Sequence, residues 1–189
     1  MRKLVSHILL TLDGVAVFNA AVVGAIVKLR DEEVEADFSA HLAAEDAMLL
    51  GRVTYGEWAG YWPTSTMEPF ASHINSVPKY VVSRTLSSAP WGSKAEAHLL
   101  HGSLADAVAE LKQSNGKNIG VHGSPTLVQS LLHANLLDEL RLEIYPVIAG
   151  GGAPLFREGR EVKQMELIRS KITANGVAIL TYGPKAVSL

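Results

Sequence analysis

An α/β fold with a mostly parallel central sheet is predicted by three features of this 189-residue chain. Short apolar runs that suit buried strands alternate with helical patterns. Several of those runs stop at a glycine-bearing turn that leads straight into a helix start. The last part of the chain drops that rhythm for two strand-like runs around an Asn-Gly turn, the mark of an antiparallel hairpin.

The elements follow in order. Leu4–Leu12, rich in Leu, Val and Ile, reads as a strand ended by a turn at Asp13-Gly14. Val34–Ala44 places Val34, Phe38, His41/Leu42 and then Glu45 at roughly helical spacing. Ala47–Leu50 is a short buried strand stopped by Gly51, and Tyr80–Ser83 is another behind Pro78. Ser103 suits the N-cap of a helix from Leu104 to about Gln113, with Asp106 three residues on and Asn115-Gly116 as its stop. Ile119–Val121 is a strand, and Leu127–Leu132 belongs to a helix whose N-cap is Ser124 and whose first residue is Pro125. Glu139–Ile148 alternates as a strand and ends at Gly150-Gly151-Gly152. Leu167–Thr173 and Val177–Tyr182, joined through Asn175-Gly176, form the terminal hairpin. No repeat, low-complexity tract or linker interrupts residues 1–189, which read as a single domain.

Composition narrows the function. With 48% apolar and 19% charged residues the chain is an ordinary globular one. A net charge of −2 and the lack of a basic stripe argue against nucleic acid as a partner. The absence of cysteine removes disulfides, thiolate metal sites and a cysteine nucleophile, and fits a reducing compartment. The opening Met1-Arg2-Lys3-Leu4-Val5 is broken at once by Ser6, His7, Thr11 and Asp13, with no cleavage pattern of the signal-peptide type. The apolar window from Val15 to Val27 is shorter than the roughly 20 residues a membrane span needs. A soluble, cytoplasmic protein without a membrane partner is the expectation.

The chemistry gathers at strand exits. In Asn118-Ile119-Gly120-Val121-His122-Gly123-Ser124-Pro125-Thr126 a strand passes through glycines into a helix start, aiming free N–H groups and a helix dipole at one point. Such a turn suits an anion, commonly a nucleotide phosphate, although many strand-to-helix turns share the pattern. Leu50-Gly51-Arg52-Val53-Thr54 repeats it with a guanidinium and a hydroxyl, and reads otherwise as a plain strand exit with a solvated arginine. Val82-Ser83-Arg84-Thr85 offers hydroxyl plus guanidinium again. Three such exits at the carboxyl ends of parallel strands point to a dinucleotide, and two arginines favour the 2′-phosphate of NADPH over NADH. The G-x-G-x-x-G fingerprint is missing, so the arrangement is not the ordinary Rossmann one.

Several segments, in order over nearly the whole chain, resemble the dihydrofolate-reductase-like proteins. They are Thr11-Leu12-Asp13-Gly14, the run Asp46 to Tyr55, Pro78 to Leu86, Gly123-Ser124, Leu137-Asp138-Glu139-Leu140, and Pro146 to Phe156 with its three glycines. More closely they are similar to the group related to the C-terminal reductase domain of bifunctional riboflavin-biosynthesis enzymes. The resemblance implies a three-layer fold, NADPH as hydride donor, often a homodimer, and reduction of a small heterocyclic or carbonyl/imine substrate. That chemistry is of the 5-amino-6-(5-phosphoribosylamino)uracil reductase or dihydrofolate reductase type.

Carried across by position, Gly51, Arg52 and Thr54 would hold the pyrophosphate and 2′-phosphate side. Ser83 and Arg84 would meet the adenosine end, and Gly120, Gly123, Ser124 and Thr126 the pyrophosphate. Asp13 and Gly14 would lie beside nicotinamide and substrate. Asp37 falls, by helix register, near the acidic residue that serves the pterin in dihydrofolate reductase. It reads equally as an acid favoured by the dipole of a helix's first turn.

Trp58 and Trp62, with Tyr61, would form either packing or an aromatic wall of the substrate cleft. The apolar Val15–Val27 stretch is unlike a ribityl-phosphate pocket, and reads as a greasy pocket wall or a subunit contact. The seven histidines contain no H-x-x-x-H or H-E-x-x-H pair, so no metal is expected. His122 sits in the phosphate turn, either touching a ligand or packed. No G-x-S-x-G elbow supports a hydrolase. Two other classes stay open: a nucleotide-binding sensor without catalysis, and an interaction domain whose glycine turns only connect strands.

Overall fold

A computed structural model describes residues 1–93, 95–156 and 162–185. Its elements in chain order are β1 (Leu4–Thr11), β2 (Val15–Val17), α1 (Ala20–Leu29), α2 (Glu32–Ala43), β3 (Glu45–Gly51), α3 (Arg52–Tyr61), α4 (Phe70–Ser76), β4 (Lys79–Val82) and β5 (Pro90–Trp91). They continue with β6 (Ala95–Glu96), β7 (His98–Leu100), α5 (Leu104–Gln113), β8 (Asn118–Val121), α6 (Pro125–His133), β9 (Glu139–Tyr145), β10 (Ala153–Pro154), β11 (Met165–Ile172) and β12 (Ala178–Pro184).

The main sheet has the order β11-β12-β9-β1-β8-β3-β4-β7. From β9 to β7 every neighbour is parallel, with Val5 opposite Glu139 and Gly120, and Gly51 opposite Val82. The terminal hairpin adds β12 antiparallel to β9 and β11 antiparallel to β12. The predicted mostly parallel sheet with an antiparallel C-terminal hairpin is therefore the observed one. Gly176, at φ +78°, makes the hairpin turn that Asn175-Gly176 predicts.

Alternation along the strands sorts the two faces. Leu4, Ile8 and Leu10 of β1, Ala47 and Leu49 of β3, and Ile119 and Val121 of β8 bury against α5 and α6. The opposite face carries two apolar clusters. One joins Val22 and Ile26 of α1 to Val34, Tyr145, Val177 and Ile179. The other joins Met48, Leu50 and Val81 to Leu42, Tyr55, Phe70 and Ile74 from α2, α3 and α4. Helix, sheet and helix make three layers.

Local signals set the helix starts. Asn19, Asp31, Ser103 and Ser124 each accept a backbone N–H from the first turn of their helix. Glu32, Glu33 and Glu35 add negative charge to the start of α2, where the dipole favours it. The segment Val15–Val27 becomes β2 and most of α1. Val22 and Ile26 enter the core while Val17, Val23 and Val27 stay about half exposed. Among the described residues, no helix is long and apolar enough to cross a membrane.

One topological detail positions the site. β3 feeds α3 on one face, whereas its neighbour β8 feeds α6 on the other. A crevice opens where adjacent parallel strands send their helices to opposite sides, at the carboxyl ends of the strands.

Candidate functional site

At that crevice the two glycine turns meet. The Gly51 N–H donates to the Gly123 carbonyl at 3.4 Å. A Cβ on Gly51 would stand 2.7 Å from Ser124 Oγ and 3.4 Å from its backbone nitrogen, so only glycine lets the turns approach this closely. Gly123, at φ +141°, lies with its missing Cβ position 3.0 Å from Thr54 Oγ1. Ser124 caps α6 by accepting from the Leu127 N–H at 3.4 Å. At α3 the N-cap is Gly51, which has no side chain to cap with, so the first-turn amides of this ten-residue helix lack a side-chain acceptor. Two helix N-termini thus bound one crevice, and an anion there meets unpaired N–H groups.

Arg52, at the first position of α3, is exposed, as is Arg84 just beyond β4. Among the described residues neither guanidinium takes part in an ion pair. The Gly51–Val82 pairing puts Ser83-Arg84 beside the Gly51 turn. Gly51, Arg52, Thr54, Gly123, Ser124 and Arg84 therefore lie around one end of the sheet, with Thr126 exposed in the first turn of α6.

Other expectations need correction. Ser83 is buried and its hydroxyl accepts from the Thr85 and Leu86 N–H groups, so it shapes the turn that carries Arg84. Gly120 lies in mid-sheet, not at the turn; its missing side chain makes room for the Glu45 carboxylate.

Asp13 braces the glycine-rich loop. Its carboxylate accepts from Thr11 Oγ1 at 2.5 Å and from the Ala149 and Gly150 amides at 3.0 and 2.9 Å. These bonds, led by Thr11, pull its pKa down to about 2, which leaves no proton to deliver at neutral pH. Gly14, at φ +76°, completes that turn and accepts from the Leu155 N–H through its carbonyl. Asp37 is the sixth residue of α2, past the first turn, and pairs with Arg141 and with Arg169, the latter at 3.0 Å. It is an ion-pair partner rather than a free acid. Trp58 and Trp62 pack edge-on against Phe70, with ring centroids 5.5 and 4.7 Å away.

The largest surprise lies between the two apolar clusters of that face. Glu45 is fully buried, and three histidines surround it: His41 Nε2 and His122 Nε2 at 2.9 Å and His73 Nε2 at 3.6 Å. Burial alone would push the Glu45 carboxyl up, but His122, His41 and His73 outweigh it and hold the group well below the usual carboxylate range. His7 packs against the same group, 5.0 Å from the His41 ring and 5.7 Å from the His122 ring. Burial pushes the His7 imidazole down to about 4, so it is neutral at pH 7 although Glu143 lies 3.6 Å away. Phe38 and Phe70 close over this strip, with Phe70 5.2 Å from His122. The sequence reading treats these histidines singly. The available signals, His41 four residues before Glu45 and His7 facing away from Leu4 and Ile8, are local, and the grouping is not. Behind α6, on the other face, an apolar cavity of about 350 Å³ is lined by Leu132, Leu140, Met165 and Tyr182, away from both sites.

Comparison with known proteins places this arrangement. The model of the RibD C-terminal domain matches residues 2–179. The chain belongs to the RibD C-terminal domain family. An uncharacterized protein of Bacillus subtilis, YyaP, is 28% identical over 149 residues, covering 77% of each chain. A putative riboflavin biosynthesis protein from Shewanella sp. PV-4 superposes with a TM-score of 0.79 at 24% identity, over 98% of this chain and all of that one. Dihydrofolate reductase from Enterococcus faecalis, solved with NADP(H), gives 0.64 at 12% identity over 97% of both chains. At those identities the structural likenesses speak for the fold. They confirm the dihydrofolate-reductase-like architecture of this RibD-type domain.

Proposed function

We propose that this RibD-type domain is an NADPH-dependent reductase of a small, unsaturated heterocyclic or carbonyl/imine substrate. The observation that carries the reading is the meeting of the Gly51 and Gly123-Ser124 turns at the ends of adjacent parallel strands, beside two exposed arginines. The pyrophosphate would lie on the first-turn amides of α3 and α6, with Thr54 Oγ1 beside it. Arg52 and Arg84 would take the 2′-phosphate and the adenosine end. When bound, the cofactor supplies the hydride; the chain supplies position and electrostatics. A flat substrate would lie against the half-buried Trp58 and Trp62, near the carboxyl ends of the parallel strands. The homodimer belongs to this proposal too; exposed Leu167, Ile168 and Ile172 on edge strand β11 are apolar surface it could cover. So does a cytoplasmic setting, consistent with a chain free of cysteine.

A second reading, a nucleotide-binding protein without turnover, is favoured by one observation: both carboxylates expected to deliver a proton, Asp13 and Asp37, are held by other partners. Fluorescence titration with NADPH and NADH tests the cofactor. Loss of reduced-nicotinamide absorbance in the presence of pteridine, pyrimidine or quinone acceptors tests catalysis. Tighter binding of NADPH together with turnover supports the reductase; binding without turnover supports the second reading; no binding of either nucleotide rejects both.

A further inference from the structure

The strip around Glu45 gathers buried polar side chains from four segments. Its carboxylate comes from the first residue of β3, His41 from the last turn of α2, His122 from just beyond β8, and His73 from α4. Gly120 leaves the space that the carboxylate fills. The donor atoms of His41, Glu45 and His122 all lie within 4.8 Å of one another. The protein satisfies only part of this group by hydrogen bonding. His122 Nε2 and Glu45 Oε2 are aligned at 2.9 Å. His41 Nε2 stands equally close to Glu45 Oε1 but off the hydrogen-bond axis, and among the described residues both of those atoms, like His73 Nε2, are buried without a hydrogen bond. Buried polar atoms without a well-aligned hydrogen bond are costly, and a cation shared between them would satisfy them.

We propose that His41, Glu45 and His122 bind one divalent transition cation of the zinc type, with a water molecule completing the coordination. Imidazole nitrogens and one carboxylate are the ligands such ions select, and Mg²⁺ or Ca²⁺, which want oxygen donors, are not. For metal–ligand bonds of about 2.0–2.1 Å the ligand atoms of a tetrahedron stand about 3.4 Å apart. Each imidazole nitrogen already stands 2.9 Å from a Glu45 oxygen, and the three ligand atoms lie within 4.8 Å of one another, so side-chain rotation brings them onto a shared ion. The bound cation would tie α2, β3 and the turn after β8 together. The proposal does not depend on the nucleotide reading.

The test uses the full chain stripped by a chelator. Incubation with Zn²⁺ followed by gel filtration and elemental analysis is expected to leave about one equivalent per chain and to raise the thermal midpoint, with excess Mg²⁺ failing to compete. Glu45→Gln and His41→Gln are each expected to weaken retention at least 100-fold, while replacement of the outlying His98 leaves it unchanged. Should the variants fail to fold, Co²⁺ added to the unaltered chain is expected to give the intense visible bands of a four-coordinate site. Retention well below one equivalent, unaltered affinity in folded Glu45→Gln and His41→Gln, or only the weak bands of octahedral Co²⁺ would overturn the proposal.

Discussion

Replacing Asp37 with asparagine separates its two readings, proton donor or ion-pair partner. The Asp37 side chain is 10% exposed and lies against Arg141, which is 3% exposed, so the pair is buried. Its second partner, Arg169, is 57% exposed and adds little. Removing one member of a buried pair strands the other charge, at a cost of about 3–5 kcal/mol. For a chain of this size that lowers the thermal midpoint by roughly 6–20 °C. Asp37→Asn is therefore expected to shift urea unfolding strongly, and the double variant Asp37→Asn with Arg141→Leu to recover much of the loss because no charge is left unpaired. Hydride transfer, measured well below the melting range, is expected to fall by less than tenfold. A stable Asp37→Asn protein that loses hydride transfer 100-fold or more would refute the ion-pair account and restore Asp37 as the acid.

Two further outcomes follow from the turns. Gly51→Ala forces its new Cβ against Ser124 Oγ, disturbing both the packing and the cap of α6; about 1–3 kcal/mol of stability is expected to be lost in urea titration, and NADPH affinity to drop at least tenfold. Unchanged stability and affinity would show that the turns have room to spare. Asp13 has its carboxyl pKa lowered from 3.8 to about 2, so the native state favours the ionised form. Its support of the Ala149–Gly150 amides is expected to be complete above about pH 4 and to be lost as pH falls through about 2, visible in the shifts of those two amide protons by NMR. Amide shifts that titrate between pH 5 and 7 would contradict it.

How far the sequence could be read depended on the range of the forces involved. Ser124 and Pro125 cap α6 through neighbours three residues away, and Asn175-Gly176 turns the chain by its own backbone freedom; such features are legible directly. The meeting of the Gly51 and Gly123 turns was legible only jointly, because each pattern alone fits many strand exits. α1 was hidden because Ala20–Leu29 is apolar on nearly every side, and only Val22 and Ile26 enter the core. Gly120 was misread for a physical reason: a glycine before a turn signals a close approach, but the approaching group is the Glu45 carboxylate rather than a ligand. The histidines around Glu45 could not be grouped, because β3, β8, α2 and α4 must be packed before His41, His73 and His122 meet.

The central claim, an NADPH groove built on the two glycine turns, meets its most direct test in the binding constant of NADPH for Arg52→Ala. A charge-assisted contact to the 2′-phosphate contributes about 1.5–3 kcal/mol, so its loss is expected to weaken NADPH at least tenfold while leaving the weaker NADH affinity unchanged. Equal affinities of the variant and the unaltered chain for NADPH would contradict the account.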